Sequence, residues 1–362
     1  MMVMPTIPGT DQERWVQLRR ALAAQPRIRL ARLPTEITAA PRLGRILGGI
    51  KLYVKRDDRL GVGLGGNKGR QCEFRLGPGV AAGADTLITG GTLGPNNFAC
   101  QAAAAARMLG WDVYLVFMGE PSANYGEFLQ GNRFLEWLMG VESRFVKVDL
   151  DALPAELTRI ASSLEAKGKR PYITGPTDHD RGALAYVECM MELYLQCRAL
   201  HIEVSHLVLA SGGPTAAGLW LAAAYLGLET QIVAVNPGYY GVPGVERDTR
   251  AQVSHIARAA ANLLRLEVDW EAARVDLCTA DEDARSLRTA AHWLRQAAST
   301  EGVFLDPVYT TVAMEELARR VAAGRIRPGA GVIFLHTGGV PSLFNYSKQI
   351  IMALQDKGIK RR

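Results

Sequence analysis

Metal-ligand spacing of cysteines, long apolar runs and concentrated positive charge are all missing from this 362-residue sequence. Its five cysteines are scattered and odd in number, which is typical of a reducing compartment, and the six histidines form no ligand-like cluster. No apolar run is long enough to span a membrane, and the N-terminus lacks the basic and apolar regions of a signal peptide. We therefore expect a cytoplasmic protein with no metal site and no membrane partner.

Positive charge is in slight excess, with a formal net charge of +6. Apart from the C-terminal KGIKRR, the lysine and arginine residues are spread along the chain and form no continuous basic stretch. Nucleic-acid binding is therefore not expected. Apolar residues at 48% and charged residues at 22% are the composition of an ordinary globular protein, with one large domain or two interleaved ones.

Short β-branched runs alternate along the chain with longer stretches rich in alanine and leucine. Such alternation predicts an α/β fold in which helices cover both faces of a parallel sheet. The segment 236–250 is rich in glycine, proline and tyrosine and predicts a long loop. The predicted strands are 52–55, 86–89, 113–117, 144–148, 172–174, 206–210, 231–235 and 332–336.

Glycine-rich segments follow several of these strands, at 64–69 (LGGNKG), 90–97 (GGTLGPNN), 211–218 (SGGPTAAG) and 336–342 (HTGGVPS). Ligands of open α/β sheets bind at the carboxyl ends of the strands. In the third segment a strand runs through a glycine turn into a helix, whose free amides could hold a phosphate. Neither the dinucleotide motif nor the Walker motif is present. Two interpretations of this segment stay open: a site for a phosphate-bearing cofactor other than a nucleotide, and a purely structural turn.

Lys68 lies alone among glycine and asparagine residues in the first of these segments. Taken by itself, it could be an ordinary solvated loop lysine. Lysine is also the nucleophile toward carbonyl cofactors, of which pyridoxal phosphate is the common case. That cofactor requires a lysine, a phosphate-binding loop and a group that faces its ring nitrogen.

The sequence around Lys68, VKRDDRLGVGLGGNKGRQCEF, resembles the lysine segment of pyridoxal-phosphate enzymes related to 1-aminocyclopropane-1-carboxylate deaminase and D-cysteine desulfhydrase. The resemblance continues in the same order through ITGGTLGPNNFACQAAAAARMLG, SGGPTAAGL, EGVFLDPVYTTVAM and VIFLHTGG. It implies the tryptophan-synthase-β-like architecture called fold type II, with two open, twisted, parallel-sheet α/β domains. Residues 1–67 and 180–362 would form a large cofactor-binding domain and residues 68–179 a small one. A homodimer is common among such enzymes.

The resemblance also assigns the site, residue by residue. It makes Lys68 the lysine that binds pyridoxal 5'-phosphate and acts in catalysis, and Tyr309 a catalytic tyrosine near the substrate. Asn96 would contact the ring oxygen of the cofactor, and Thr310 would face its ring nitrogen. The phosphate loop would consist of Ser211, Gly212, Gly213, Pro214 and Thr215.

This chain departs from the family pattern mainly where the substrate is handled. Pro95 stands in place of a serine and offers neither a hydroxyl nor an amide proton. Pro214 likewise removes one donor from the phosphate loop. The second tyrosine of the deaminases maps near Asp283. We interpret the acidic pair 57–58 as loop-stabilising, and His179 has no assigned role.

The implied activity is that of an enzyme acting on a small amino acid at Cα and Cβ. We expect β-elimination to a keto acid and ammonia, because a neutral threonine at the ring nitrogen supplies no counter-charge and so favours rapid expulsion of a β-substituent. Two alternatives stay open. One is β-replacement or another Cα/Cβ reaction of a specialised pathway, and the other is a pyridoxal-phosphate-binding protein with little turnover.

Overall fold

Two sheets organise the computed structural model, which describes residues 12–93, 96–121, 129–238 and 241–355. The larger sheet has six strands in the order β1-β2-β10-β7-β8-β9, and the smaller has four in the order β5-β4-β3-β6. The strands are β1 (Ile37–Ala39), β2 (Lys51–Lys55), β3 (Thr86–Thr92), β4 (Asp112–Met118), β5 (Glu142–Val146), β6 (Pro171–Ile173), β7 (His206–Ala210), β8 (Gln231–Asn236), β9 (Val275–Thr279) and β10 (Gly331–Leu335).

Almost all strand pairs are parallel. Only β1 and β2 pair in the antiparallel sense in the described residues, whereas the remaining pairs of both sheets are parallel. The carboxyl ends of parallel strands meet at one edge of a sheet, which is where ligands of open α/β sheets bind. The loops that follow β2, β7, β8 and β10 therefore share one edge.

Helices connect the strands and cover the sheets. They are α1 (Gln12–Ala23), α2 (Pro41–Ile46), α3 (Asn67–Arg75), α4 (Gly77–Ala81), α5 (Asn97–Met108), α6 (Asn132–Leu138), α7 (Leu153–Glu165), α8 (His179–Ala199), α9 (Pro214–Leu226), α10 (Thr249–Leu264), α11 (Leu287–Glu301), α12 (Thr310–Ala322) and α13 (Ser347–Gln355). None of the helices in the described ranges combines the length and apolarity needed to cross a bilayer.

The larger sheet is buried on both faces, as a continuous apolar strand predicts. Leu207 and Leu209 of β7 pack into a core that includes α8, α9 and α10. Val208 and Ala210 of the same strand pack into a second core that includes α11 and α12. Successive strand residues point to opposite faces, so one run of five apolar or half-buried residues serves both cores.

The smaller sheet repeats this arrangement. Leu87 of β3 packs with the alanines of α5, and Ile88 packs with the apolar face of α7. All of its strands fall between residues 68 and 179. The exact limits of a small domain at those residues stay a prediction.

The α/β class and the eight predicted strands are confirmed. The strands β1 and β9, which the sequence did not reveal, lie at the two edges of the larger sheet. The first has only three residues and the second is half-buried along most of its length. Neither presents the continuous buried run by which the inner strands were recognised.

Candidate functional site

Lys68 is the second residue of α3 and follows a glycine turn, which we call the lysine loop (residues 63–69). Gly66 in this loop has a φ of +120° and its amide donates to the carbonyl of Asp57 over 2.9 Å. A Cβ on Gly65 would lie 1.8 Å from the carbonyl oxygen of Asp58. Glycine is therefore required where the chain passes this close to its own backbone.

The amine of Lys68 is set up for chemistry by its surroundings. Lys68 is half-buried in the cleft. Burial first, and the positive charge of Arg75 second, lower the pKa of Lys68 from its ordinary 10.5 to about 7. A large fraction of the amine is therefore neutral near pH 7, which is the nucleophilic form.

A network of buried charges holds the lysine helix from behind. Arg70 donates to Asp57 over 2.9 Å and to Glu192 over 2.8 Å, and the ammonium of Lys55 also contacts Glu192. Burial opposes ionisation of Asp57, but the charge of Arg70 outweighs it and lowers the pKa of that carboxyl. The hydroxyl of Tyr186 adds a further bond to Asp57 at 2.6 Å. These contacts fix α3 against α8 and β2, and they agree with a loop-stabilising role for Asp57.

The predicted phosphate loop forms the start of α9. The Ser211 hydroxyl accepts hydrogen bonds from the amides of Gly213 and Ala216, each at 3.2 Å. A Cβ on Gly212 would lie 2.4 Å from Cγ of Asn236, so no larger residue fits there. Pro214 occupies the first turn of the helix, where a missing N–H leaves no intrahelical bond unmade.

Thr215 joins this loop to the lysine helix. Its buried hydroxyl accepts a hydrogen bond of 2.9 Å from Nδ2 of Asn67 and one of 3.1 Å from Nε2 of Gln71. Asn67 is the residue next to Lys68. Lysine and phosphate loop are thus brought together, as the sequence interpretation requires.

Thr310 and Tyr309 lie at the start of α12, where an aspartate occupies the helix N-terminus. The carboxylate of Asp306 accepts from the amides of Val308, Tyr309 and Thr310 at 2.8–3.0 Å. The fully buried Thr310 hydroxyl is bonded to the same carboxylate at 2.7 Å. The structure therefore directs the Thr310 hydroxyl to Asp306. Tyr309 is half-buried against the adjoining core.

The loop after β10 connects the lysine loop to this second helix start. Thr337 accepts the amide of Asn67 over 2.9 Å. A Cβ on Gly338 would lie 2.4 Å from Cα of Gly66, and one on Gly339 would lie 2.7 Å from Cγ of Asp306. The first contact is backbone on backbone and the second is backbone on the side chain of Asp306, so the loop after β10 packs against both the lysine loop and the start of α12.

Asn96 and its neighbour Asn97 lie at the start of α5. The Asn96 side chain caps this helix, because its Oδ1 accepts the amide of Ala99 at 3.0 Å. Four residues after Asn97, Oε1 of Gln101 accepts the amide of Gly69 at 2.8 Å. Residues four apart share one helix face, so Asn97 lies on the face that meets the lysine loop. The contact of Asn96 with the ring oxygen of the cofactor stays a prediction.

Three other positions singled out in the sequence have different surroundings or lie outside the described residues. The exposed carboxylate of Asp283 pairs with Arg319 at 2.8 Å, so this position faces solvent. His179 is half-buried beside Arg75, and burial followed by the charges of Arg75 and Lys68 puts the pKa of this histidine well below its usual value. Pro95 lies outside the described residues.

The donor set fits a phosphate-bearing aldehyde such as pyridoxal phosphate. The amine of Lys68 is nucleophilic, and an anion would meet the N-terminus of α9 and the Thr215 hydroxyl. A Cβ on Gly66 would lie 2.7 Å from Nε2 of Gln101, so neither this glycine nor Gly212 can carry a side chain without displacing a neighbour. No group of three His, Cys, Asp or Glu side chains in the described ranges could hold a metal ion.

Comparisons with known proteins agree with this chemistry. The family described as "Pyridoxal-phosphate dependent enzyme" matches residues 28–338. A protein of Pyrococcus abyssi (strain GE5 / Orsay), provisionally named a 1-aminocyclopropane-1-carboxylate deaminase, is 34% identical over 92% of this chain and 97% of its own length. The D-cysteine desulfhydrase of Serratia proteamaculans (strain 568) is 32% identical over 92% of this chain and 100% of its own length.

A solved structure extends the agreement to three dimensions. The crystal structure of an ACC deaminase homologue superposes with a TM-score of 0.81 at 31% identity, covering 93% of this chain and 99% of the other. The chain therefore belongs to the family of pyridoxal-phosphate dependent enzymes, in the group that contains the 1-aminocyclopropane-1-carboxylate deaminases and D-cysteine desulfhydrases.

Proposed function

We propose that this enzyme catalyses β-elimination on a small amino acid, with a keto acid and ammonia as final products. The observation that carries the proposal is Lys68 itself, whose amine has a pKa of about 7 and whose neighbour Asn67 bonds to Thr215 at the start of α9. A lysine with this pKa exchanges a proton readily near neutral pH. The relatives named deaminase and desulfhydrase support the same class of reaction.

Bound pyridoxal phosphate supplies an electron sink for the bond that breaks at Cα of the amino acid. The chain supplies the rest. Asn67 and Gln71 anchor the phosphate loop to α3 through Thr215, which sets the distance between that loop and Lys68. The neutral amine of Lys68 accepts the Cα proton. Tyr309, half-buried at the start of α12, orients the substrate or protonates the leaving group.

The surroundings of Thr310 favour elimination. Its hydroxyl is bonded to Asp306, and that carboxylate is surrounded by three amides and the hydroxyl itself. Thr310 is neutral, so it supplies no negative charge to the ring nitrogen of the cofactor that it would face. Charge that develops on the substrate is then best removed by expelling a β-substituent, which favours elimination over transamination.

The altered substrate-handling positions suggest a preference among substrates. Pro95 offers no hydroxyl, and position 283 is an exposed aspartate. Opening an unactivated cyclopropane needs a well-placed nucleophile or acid, and such groups supply roughly 10²–10⁴-fold in rate. Elimination of a good leaving group needs little beyond Lys68. We infer an order in which substrates with good β-leaving groups come first, D-cysteine second and the cyclopropane amino acid last.

Steady-state kcat/KM on these three substrate classes tests the proposal. Keto acid and ammonia should appear in equal amounts, fastest with the good leaving group. Lys68→Ala is the control, since borohydride should fix the cofactor to Lys68 in the wild type and to no residue of the variant. Efficient cyclopropane turnover would contradict the ranking, and an adduct on another lysine would contradict the assignment of Lys68.

Replacement and binding without turnover are separated by the same assay. A spectral change that yields no keto acid, but yields a product once a nucleophile is added, would indicate β-replacement.

We also retain a cytoplasmic location, a small domain of residues 68–179 and a homodimer as proposals. Exposed apolar side chains such as Phe134, Trp137 and Phe344 are available for a second copy to cover. Light scattering of the purified protein would test the dimer.

A further inference from the structure

The hydroxyl of Thr215 has only one way left to form a hydrogen bond. A hydroxyl carries two lone pairs and one proton. Both lone pairs are used, by Nδ2 of Asn67 at 2.9 Å and by Nε2 of Gln71 at 3.1 Å. Thr215 is 1% exposed, and among the described residues its hydroxyl only accepts hydrogen bonds and donates none. Its proton is therefore available to an acceptor outside the described residues, such as a bound ligand.

We propose that Gln71 is a positioning residue which, together with Asn67, forces the Thr215 hydroxyl to donate its proton to the cofactor phosphate. The inference rests on the proposed role of residues 211–215 as the phosphate loop. A phosphate dianion accepts hydrogen bonds and donates none, so a hydroxyl that is free to rotate would spend part of its time with its lone pairs toward the anion. Two donors on the opposite side remove that arrangement.

The second polar atom of Gln71 shows why the orientation of its amide matters. Oε1 of Gln71 is buried and has no hydrogen-bond partner among the described residues. If the amide were turned over, Oε1 would face Thr215 and accept the proton that the phosphate needs. The observed orientation leaves that oxygen without a partner and keeps the proton available. An anion in the loop would stabilise this orientation over the reverse one.

Charge cannot substitute for this arrangement at Thr215. The side chains that bond to Thr215 are the neutral amides of Asn67 and Gln71, and the Ser211 hydroxyl is used by two backbone amides. Attraction at this point therefore depends on the direction of dipoles and on the N-terminus of α9. A hydrogen bond to a charged acceptor is about twice as strong as a neutral one, so its direction is worth fixing.

A double-mutant cycle between Gln71→Leu and Thr215→Val tests the proposal. The measured quantity is the dissociation constant of pyridoxal 5'-phosphate, obtained by titrating the cofactor-free full-length protein and following absorbance. Thr215→Val should weaken binding roughly tenfold or more, the loss of one bond to a charged group. Gln71→Leu should weaken it about threefold to tenfold, and the double variant should bind as Thr215→Val does, because Gln71 acts through that hydroxyl.

Pyridoxal, which lacks the phosphate, provides the decisive comparison. It should bind all four proteins of the cycle within about twofold of one another, since the hydroxyl has no anion to meet. Gln71→Glu should weaken phosphate-cofactor binding more than Gln71→Leu, because a carboxylate accepts the Thr215 proton, and this excess should shrink in the Thr215→Val background. Gln25→Leu, a half-buried glutamine bonded to Ala21 and Leu263, is the matched control and should change neither constant.

The possible outcomes separate the assignment of the phosphate loop from the role of Gln71. Unchanged cofactor affinity in a folded Thr215→Val protein would overturn the phosphate loop itself. A loss in Gln71→Leu that is the same in both backgrounds, or the same for pyridoxal, would show that Gln71 acts only through packing and would overturn the inference alone. Gln71→Met replaces Gln71→Leu if circular dichroism shows that the leucine variant is misfolded.

Discussion

The unpaired backbone amides at the starts of α9 and α12 are satisfied in opposite ways. The two helices lie on opposite faces of the larger sheet, and both begin beside the lysine loop or its neighbour after β10. At α9 the cap is the neutral hydroxyl of Ser211, and the amide and hydroxyl proton of Thr215 have no protein acceptor in the described residues. At α12 the carboxylate of Asp306 takes three amides and a hydroxyl.

The difference shows which helix N-terminus can receive an anion. Every helix N-terminus carries unsatisfied amides and a partial positive charge. Asp306 brings its own negative charge and closes the start of α12, although burial raises the pKa of this carboxyl. Ser211 brings no charge and leaves the start of α9 open. A residue type at one capping position therefore separates a helix start that is closed by its own acid from one that stays open to an anion.

The largest effect is expected from giving α9 the cap that α12 has. Ser211→Asp should place a carboxylate on the amides of Gly213 and Ala216, where it repels the phosphate. We expect cofactor affinity to fall at least about 100-fold, while the apo-protein keeps or gains thermal stability, since an acid at this end of a helix is favourable. Titration with pyridoxal 5'-phosphate and thermal unfolding measure the two effects.

Ser286→Asp is the matched control for that change. Ser286 caps α11 by accepting the amide of Thr289 at 3.2 Å, and it lies outside the site. Its replacement should leave the cofactor affinity unchanged. Normal cofactor binding by the Ser211→Asp protein would mean that the start of α9 does not receive the phosphate.

Removing Asp306, the acid that caps the start of α12, should lower the stability of the protein more than its cofactor affinity. Asp306→Ala leaves three amides without their carboxylate acceptor, and the Thr310 hydroxyl keeps only the backbone carbonyl of residue 306, at 3.3 Å. The free energy of unfolding should drop by roughly 2–4 kcal/mol, because buried donors lose charge-assisted bonds. Urea denaturation of the apo-protein measures it. Asp248→Ala, which removes an exposed cap from α10, should cost only about 1 kcal/mol, and an equal loss in the two variants would contradict the burial argument.

The lysine between these two helix starts predicts a pH dependence. With a pKa of about 7, the neutral fraction of Lys68 rises about tenfold between pH 6 and pH 8 and then levels off. The initial rate of cofactor capture by the apo-protein, followed by stopped-flow absorbance, should therefore level off above pH 8. An unshifted lysine would still gain about tenfold per pH unit there. In Ser211→Asp the added carboxylate should move the plateau to higher pH.

The smallest effect distinguishes two adjacent threonines at the start of α12. Thr310→Val removes a hydroxyl that is bonded to Asp306 and should lower the free energy of unfolding by about 1 kcal/mol. Thr311 is equally buried, but its hydroxyl has no partner in the described residues, so Thr311→Val should be close to neutral. Denaturation of both variants provides the measurement. A loss of tenfold or more in cofactor affinity for Thr310→Val would instead place its hydroxyl on the cofactor.

The sequence by itself determined the α/β class, the inner strands and the lysine. Strand and helix periodicities are local, and the inner strands of a sheet covered on both faces are continuous apolar runs. The local pattern alone left Lys68 open as an ordinary loop lysine and segment 211–215 open as a structural turn. The resemblance to a family of pyridoxal-phosphate enzymes, through motifs in the same order, assigned both to the cofactor.

Only the tertiary structure decided what each polar side chain does. Asn67 and Gln71 lie four residues apart and therefore on one helix face, but their partner Thr215 is far along the chain. The roles of Asn96 and Thr310 at the cofactor stay predictions, and the structure adds that the oxygen of one caps a helix and the hydroxyl of the other meets Asp306. A hydrogen bond is settled by which donors and acceptors become neighbours after folding, and local sequence does not contain that information.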